Sequence, residues 1–88
     1  MSYKIKVSKA FEKFFEKRTA KEKEILKEKL NLLKLNPKTH PQLDISVYKG
    51  EEETYRLRYR SYRIIYRVQE QQLLILLLKA GSRGDVYK

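Results

Sequence analysis

The chain has 88 residues, of which 21 are Lys or Arg and 11 are Asp or Glu, so its formal net charge is +10 at pH 7. This length predicts a single domain over residues 1–88, with one modest core. The chain has no cysteine and one histidine, which excludes disulfides, thiolate metal sites and a histidine-based zinc site, and we expect neither a metal nor a cofactor.

The excess of positive charge indicates a polyanionic partner, which is a nucleic acid, an anionic membrane surface or an acidic protein. The first six residues lack the apolar run of a signal peptide, and the longest apolar run, at 73–78, is too short to span a bilayer. We therefore expect a cytoplasmic protein with no membrane partner.

Two helices are predicted in the first half of the chain. Residues 3–7 alternate apolar and polar side chains, as a half-buried strand does. Ser8 can cap a short helix that carries Phe11, Phe14 and Phe15 on one side. The stretch Thr19–Glu22 fits a capping box, which predicts a second helix from Thr19 to the Asn36–Pro37 pair.

The second half predicts strands. Residues 37–41 form a connector that carries His40, expected to be an exposed loop residue, and residues 43–49 are expected to be extended. Three strands follow, at 55–59, 62–68 and 73–79, with short links near Arg60–Ser61 and Glu70–Gln71. The prediction is an α+β fold, in which a four-stranded, mainly antiparallel sheet packs on one face against an N-terminal helical hairpin.

Arginine is concentrated in these strands, since six of the seven arginines lie from Arg56 onward while eleven of the fourteen lysines precede Asp44. Alternation places Arg56 and Arg58 on one face, with Tyr55 and Leu57 toward the helices and Arg63 beside the arginines. Residues 54–68 hold five arginines and no acid. This pattern fits either a solvated strand face or an anion-binding face, and the missing acids favour the anion site.

Two motifs carry a family resemblance. The stretch Tyr55-Arg56-Leu57-Arg58-Tyr59-Arg60-Ser61-Tyr62-Arg63-Ile64-Ile65-Tyr66 resembles the "YRLRVGDYRIIY" signature of the RelE/ParE toxin superfamily. The stretch Gly81-Ser82-Arg83-Gly84-Asp85-Val86-Tyr87 resembles its C-terminal "GHRREVYR" motif. The order of the predicted elements agrees as well, so the resemblance covers essentially the whole chain.

The resemblance implies a toxin of a type II toxin–antitoxin pair that enters the ribosomal A site and cleaves mRNA by attack of a 2′-hydroxyl, without a metal. It implies as partners mRNA, ribosomal RNA and an acidic antitoxin that covers the basic surface. Catalytic roles are implied for Arg63, Arg83 and Tyr87. The residues expected to bind RNA are Arg56, Arg58, Lys49 and Arg60.

Four departures from the family pattern are found, and the first three keep alternatives open. Ser82 replaces a frequent histidine, Gly84 replaces a second arginine, and Asp44 is a poor match for the glutamate base of some relatives. These differences bear on the acid–base chemistry. Arg60–Ser61 replaces a Gly-Asp turn, which concerns folding only. The alternative functions are a ParE-type inhibitor of DNA gyrase and a non-toxic nucleic-acid-binding relative.

Overall fold

A five-stranded mixed sheet carries two helices on one of its faces. The computed structural model describes residues 2–82. The elements in chain order are β1 Lys4–Val7, α1 Lys9–Glu16, α2 Ala20–Leu35, β2 Asp44–Val47, β3 Thr54–Tyr59, β4 Tyr62–Gln69, a 3₁₀ turn Glu70–Gln72 and β5 Leu74–Ser82. The strands lie side by side in the order β1-β5-β4-β3-β2.

The α+β class and the helical hairpin are confirmed, but the predicted four-stranded sheet is wrong. Strand β2, expected only to be extended, pairs antiparallel with β3 and makes a fifth strand at the edge. Strand β1 pairs parallel with β5, so the sheet is mixed. The other three pairings are antiparallel, so the sheet is mainly antiparallel as predicted. The fifth strand was missed because the local alternation of side chains does not specify which segments pair.

The predicted helix boundaries are confirmed, and side chains fix both starts. The hydroxyl of Ser8 accepts the Phe11 N–H at 3.1 Å and donates to the carbonyl of Leu78 at 2.8 Å. At α2 the capping box is complete, since Glu22 N–H donates to Thr19 Oγ1 at 3.1 Å and Thr19 N–H donates to Glu22 Oε1 at 3.2 Å. Helix α2 ends at Leu35, with Asn36 as its C-cap. None of the helices within residues 2–82 is long and apolar enough to span a lipid bilayer.

The core lies between the helices and the inner face of the sheet. Buried side chains come from both helices and from β3, β4 and β5; they are Phe11, Phe14, Leu26, Leu33, Leu57, Tyr59, Ile64, Tyr66, Val68, Ile75 and Leu77. Each fully buried Leu or Ile contributes about 1.5–3 kcal/mol relative to an exposed one. This apolar layer therefore fixes which face of each strand points away from the helices.

The apolar last strand, β5, differs from the prediction in its first and last residues and in how far its two faces are buried. Leu73 has φ +50° and closes the 3₁₀ turn, so β5 begins one residue later than expected and continues to Ser82. Ile75 and Leu77 are buried under the helices, while Leu74, Leu76 and Leu78 are only half-buried. Burial of this strand on both faces was expected, and it is complete only on the helix side.

The hairpin between β3 and β4 turns at Arg60–Ser61, as predicted. Arg60 has φ +56°, in the left-handed region that a residue with a Cβ seldom adopts. This conformation costs roughly 1–2 kcal/mol. Register across the hairpin is nevertheless regular, with Tyr59 opposite Tyr62 and Leu57 opposite Ile64. Burial of the inner residues fixes the hairpin in spite of its turn sequence.

Tyr66 ties the sheet to the connector after α2. Its hydroxyl donates a 2.6 Å hydrogen bond to the carbonyl oxygen of Pro37, and the side chain is fully buried. Burial raises the pKa of Tyr66 well above its ordinary value. The phenol therefore stays protonated at neutral pH and remains a hydrogen-bond donor.

Replacing Tyr66 with Phe tests this bond. Tyr66→Phe keeps the ring but leaves a buried carbonyl without its partner, so we expect the free energy of unfolding to fall by about 1–2 kcal/mol in urea denaturation. Tyr55→Phe is the matched control. Its ring stacks on Tyr66 at 5.8 Å between centroids, and its hydroxyl makes no hydrogen bond within residues 2–82, so the change should stay within about 0.5 kcal/mol. Equal losses in the two variants would contradict the assignment.

Candidate nucleic-acid interface

The sheet face turned away from the helices carries a cluster of arginines, and we call it the open face. Arg58 lies directly opposite Arg63, and Arg56 lies opposite Ile65, across β3 and β4. Directly opposed residues point to the same side of a sheet, with Cβ atoms about 4.5–5.5 Å apart. Because Leu57 and Ile64 face the helices, the structure brings Arg56, Arg58 and Arg63 together, as the alternation predicted.

Polar contacts restrain the three guanidinium groups. Arg56 donates from Nε to Ser46 Oγ at 3.2 Å, and Arg63 donates from Nη1 to the carbonyl of Tyr62 at 3.3 Å. Arg58 Nε lies 3.5 Å from Asp44 Oδ2. An arginine fork binds two phosphate oxygens at once, so forks fixed on neighbouring strands form a surface that can bind a phosphodiester.

Acids from outside the arginine-rich strands partly neutralise this face, which the sequence pattern did not show. Asp44 reaches Arg58 from the edge strand β2, and Glu51 reaches Arg67 Nη2 at 3.3 Å from the loop before β3. The Arg58 and Asp44 side chains are 48% and 61% exposed, so their attraction is screened by water. The face keeps a positive excess, since the described cations Lys4, Lys6 and Lys79 also point to this side by register.

Glu53, the last member of the acidic run Glu51–Glu53, belongs to a separate ion-pair cluster around Lys38. Lys38 bonds to Glu70 and lies 3.6 Å from Glu53 Oε2. The hydrogen bond to Glu70 raises the pKa of Lys38 above its ordinary value. These contacts join the connector after α2 to the start of β3 and to the end of β4.

Two further residues of the open face were missed from the sequence. Tyr48 follows β2 directly, and the Nζ of Lys79, on β5, lies 6.0 Å from the centroid of its ring. The two side chains therefore extend toward each other over β3 and β4. The alternation of Asp44, Ser46 and Tyr48 places these three side chains on one side of a strand. It assigns them to the open face only once residues 44–47 are known to pair with β3.

The remaining residues with an expected site role fall in different places. Lys49 is exposed and lines a cavity next to Arg56. Arg60 lies at the hairpin tip with its guanidinium 5.6 Å from the ring of Tyr59, a core residue on the helix side, so it is separate from the other three arginines. Arg83 and Tyr87 lie outside the described residues.

Within residues 2–82, the open face carries neither a cluster of metal-binding side chains nor a histidine. Residues 2–82 contain no group of three or more His, Asp or Glu side chains that could hold a metal ion. His40 lies in the connector after α2, where its Nδ1 accepts the N–H of Gln42 at 3.1 Å. The open face is thus a set of cations with an aromatic ring, suited to binding an anion and stabilising negative charge.

Comparison with known proteins gives a consistent result. The family model described as ParE toxin of type II toxin–antitoxin system, parDE, matches residues 5–87. RelE1 of Methanocaldococcus jannaschii is 36% identical over 62 residues, which covers 70% of this chain and 69% of that protein.

Solved structures share the fold. RelE in the RelE–RelB complex of Pyrococcus horikoshii superimposes with a TM-score of 0.82 at 27% identity, covering 96% of this chain and 98% of that one. The toxin of the intact Escherichia coli RelBE complex superimposes with a TM-score of 0.78 at 21% identity, covering 93% and 98% of the two chains. At 21% identity, the similarity to the E. coli toxin shows a shared fold and nothing more.

Removing the acid that partly neutralises Arg58 should strengthen anion binding. We expect Asp44→Asn to bind a short single-stranded RNA more tightly, and the slope of log affinity against log salt to steepen by about 0.7, as for one added phosphate contact. Fluorescence anisotropy across a salt series measures both quantities. Glu28→Gln changes the net charge equally on an exposed position of α2 and should leave the slope unchanged. The same slope in both variants would mean that overall charge, not the open face, governs binding.

Proposed function

Since the chain belongs to the RelE/ParE superfamily of type II toxin–antitoxin toxins, we propose that it is a ribosome-dependent endoribonuclease that cleaves mRNA in the ribosomal A site. The observation that carries the proposal is the convergence of Arg56, Arg58 and Arg63 on the sheet face turned away from the helices. Like charges placed this close repel one another, so a bound polyanion would stabilise the arrangement. We propose that the polyanion is the mRNA backbone.

The proposed reaction is a transesterification at one phosphodiester. The 2′-oxygen attacks phosphorus and loses its proton, the bond from phosphorus to the 5′-oxygen breaks, and that oxygen takes up a proton. Negative charge grows on the non-bridging oxygens in the transition state. Arg63, directly opposite Arg58, is proposed to stabilise this charge with a fork already in place. Arg83 is proposed to do the same, and Tyr87 to stack on a base or transfer a proton.

The described side chains supply charge stabilisation far better than acid–base catalysis. The only carboxylate bonded to the three arginines within residues 2–82 is that of Asp44, which is paired with Arg58. We therefore propose that most of the rate comes from positioning of the mRNA on the ribosome and from fixed positive charge. Lys49, beside Arg56, and Arg60, at the hairpin tip, are proposed to bind the backbone on either side of the scissile phosphate.

The proposed partners follow from the same charge pattern. Ribosomal RNA would contact the basic surface, and an acidic antitoxin segment would cover the open face and neutralise its arginines. RelE of P. horikoshii occurs in a complex with RelB, and so does the E. coli toxin. A cytoplasmic location fits these partners and is part of the proposal.

A second candidate function is inhibition of DNA gyrase, because the matching family model is that of the ParE toxins. In that case the open face would bind a protein or DNA without cleaving it. A DNA supercoiling assay separates the two candidates. Purified protein should leave gyrase activity unchanged at concentrations that shorten mRNA on ribosomes, whereas inhibition with intact mRNA would favour the gyrase target.

The proposed nuclease predicts a specific defect for Arg63→Ala. In a reconstituted translation system, the variant should cleave ribosome-bound mRNA about 10²–10³-fold more slowly than the unmodified protein, because one preorganised donor to the transition state is lost. Primer extension on the mRNA measures the rate. The open-face arginine is not a core residue, so the free energy of unfolding should change little.

Lys13→Ala is the matched control for this experiment. Lys13 is an exposed cation on α1, the helix layer on the opposite side of the sheet, and alanine keeps the helix intact. Its cleavage rate should equal that of the unmodified chain. Intact mRNA after incubation of folded, unmodified protein with translating ribosomes would refute the nuclease proposal.

A further inference from the structure

Tyr48 occupies a position on the open face that the family motifs do not include. It follows the edge strand β2, where Ser46 is opposite Arg56, so continued alternation carries its side chain to the arginine side. Its N–H donates to the carbonyl of Thr54 at 2.9 Å, which fixes the backbone beside β3. The residue is half-buried, and one face of its ring lies near the ammonium group of Lys79.

The centre of the open face beneath this pair is apolar. Ile65 lies opposite Arg56 on one side and opposite Lys79 on the other, and its side chain is fully buried. A cation close to the ring of Tyr48 restricts where that ring can lie. The ring is therefore held over the sheet by a neighbour on a different strand, as a preorganised aromatic surface.

A small cavity adjoins this ring. It has a volume of about 330 Å³, and its lining includes Tyr48, Lys49 and Arg56. The hydrogen bond from Arg56 Nε to Ser46 Oγ, at 3.2 Å, holds the arginine at the cavity wall. The volume lies at the lower end of the range for small-ligand sites. An aromatic wall beside two cations matches the two chemical parts of a nucleotide, its flat base and its charged phosphate.

We propose that Tyr48 binds RNA by stacking on one unpaired base, while Lys49 and Arg56 bind the phosphate of the same nucleotide. Lys79 is a positioning residue that orients the ring. The inference rests on the proposed function, because it takes single-stranded RNA as the ligand of the open face. It adds to that function an aromatic base-binding position that lies outside both sequence motifs.

Binding to a short RNA that contains the fluorescent base 2-aminopurine tests the proposal without ribosomes. We expect Tyr48→Leu to bind about tenfold more weakly than the unmodified protein and to lose the fluorescence quenching caused by stacking. Tyr48→Phe keeps the aromatic ring and should retain both affinity and quenching. Thermal unfolding of both variants shows whether the leucine variant is folded.

An RNA of the same length with abasic nucleotides is the matched control ligand. The unmodified protein should bind it about tenfold more weakly than the intact RNA, and Tyr48→Leu should cause no further loss. Unchanged affinity of Tyr48→Leu for the intact RNA would overturn the proposal. An equal loss on both RNAs would also overturn it, since the side chain would then act on the protein structure and not on a base.

The readout is independent of mRNA cleavage, so the two proposals fail separately. A protein that leaves ribosome-bound mRNA intact but shows the full Tyr48 pattern on short RNA would refute the nuclease and support the base-binding position. If the Tyr48→Leu variant cleaves mRNA at the normal rate and binds RNA with unchanged affinity, the nuclease proposal stands and the role of Tyr48 is refuted.

Discussion

The register between β3 and β4 is the constraint on which the rest of the structure depends. Leu57 opposite Ile64 places apolar side chains under the helices, and the same pairing places Arg58 opposite Arg63 on the other side. A shift of this register by one residue would point arginine side chains into the core and expose leucine side chains to water. Burial of the core therefore holds the arginines together, although their mutual repulsion opposes it.

Within residues 2–82, the acids that form ion pairs with the arginine cluster lie at its edges. Asp44 stands on the outermost strand and Glu51 in the loop before β3, and each contacts one arginine. Because exposed pairs of this kind contribute little stability, an incoming phosphate can replace the carboxylate at small cost. The arrangement limits repulsion between the arginines through ion pairs that water already screens.

Local chemistry made much of this fold predictable. The caps at Ser8 and Thr19, the stop at Pro37 and the alternation around Arg56 and Arg58 depend on neighbouring residues, and the structure confirms them. The parallel β1–β5 pairing and the contact between Tyr48 and Lys79 join segments far apart in the sequence, and the β2–β3 pairing depends on a hairpin across residues 48–53. The local pattern of these residues indicates extended structure but does not specify the partner strand, so neither the fifth strand nor the aromatic part of the site could be inferred. The same holds for Asp44, whose partner Arg58 becomes adjacent only through β2.

The parallel pairing of β1 with β5 has a consequence for biosynthesis. Residues 4–7 are translated long before their strand partner, residues 74–77. Until then β1 and the sheet side of α1 lack their main partners, including the Leu78 carbonyl that binds Ser8. Non-local pairing of this kind slows folding and exposes apolar surface meanwhile. Pairing of β1 can therefore begin only after residues 74–77 have been translated, and until then the sheet lacks this edge strand.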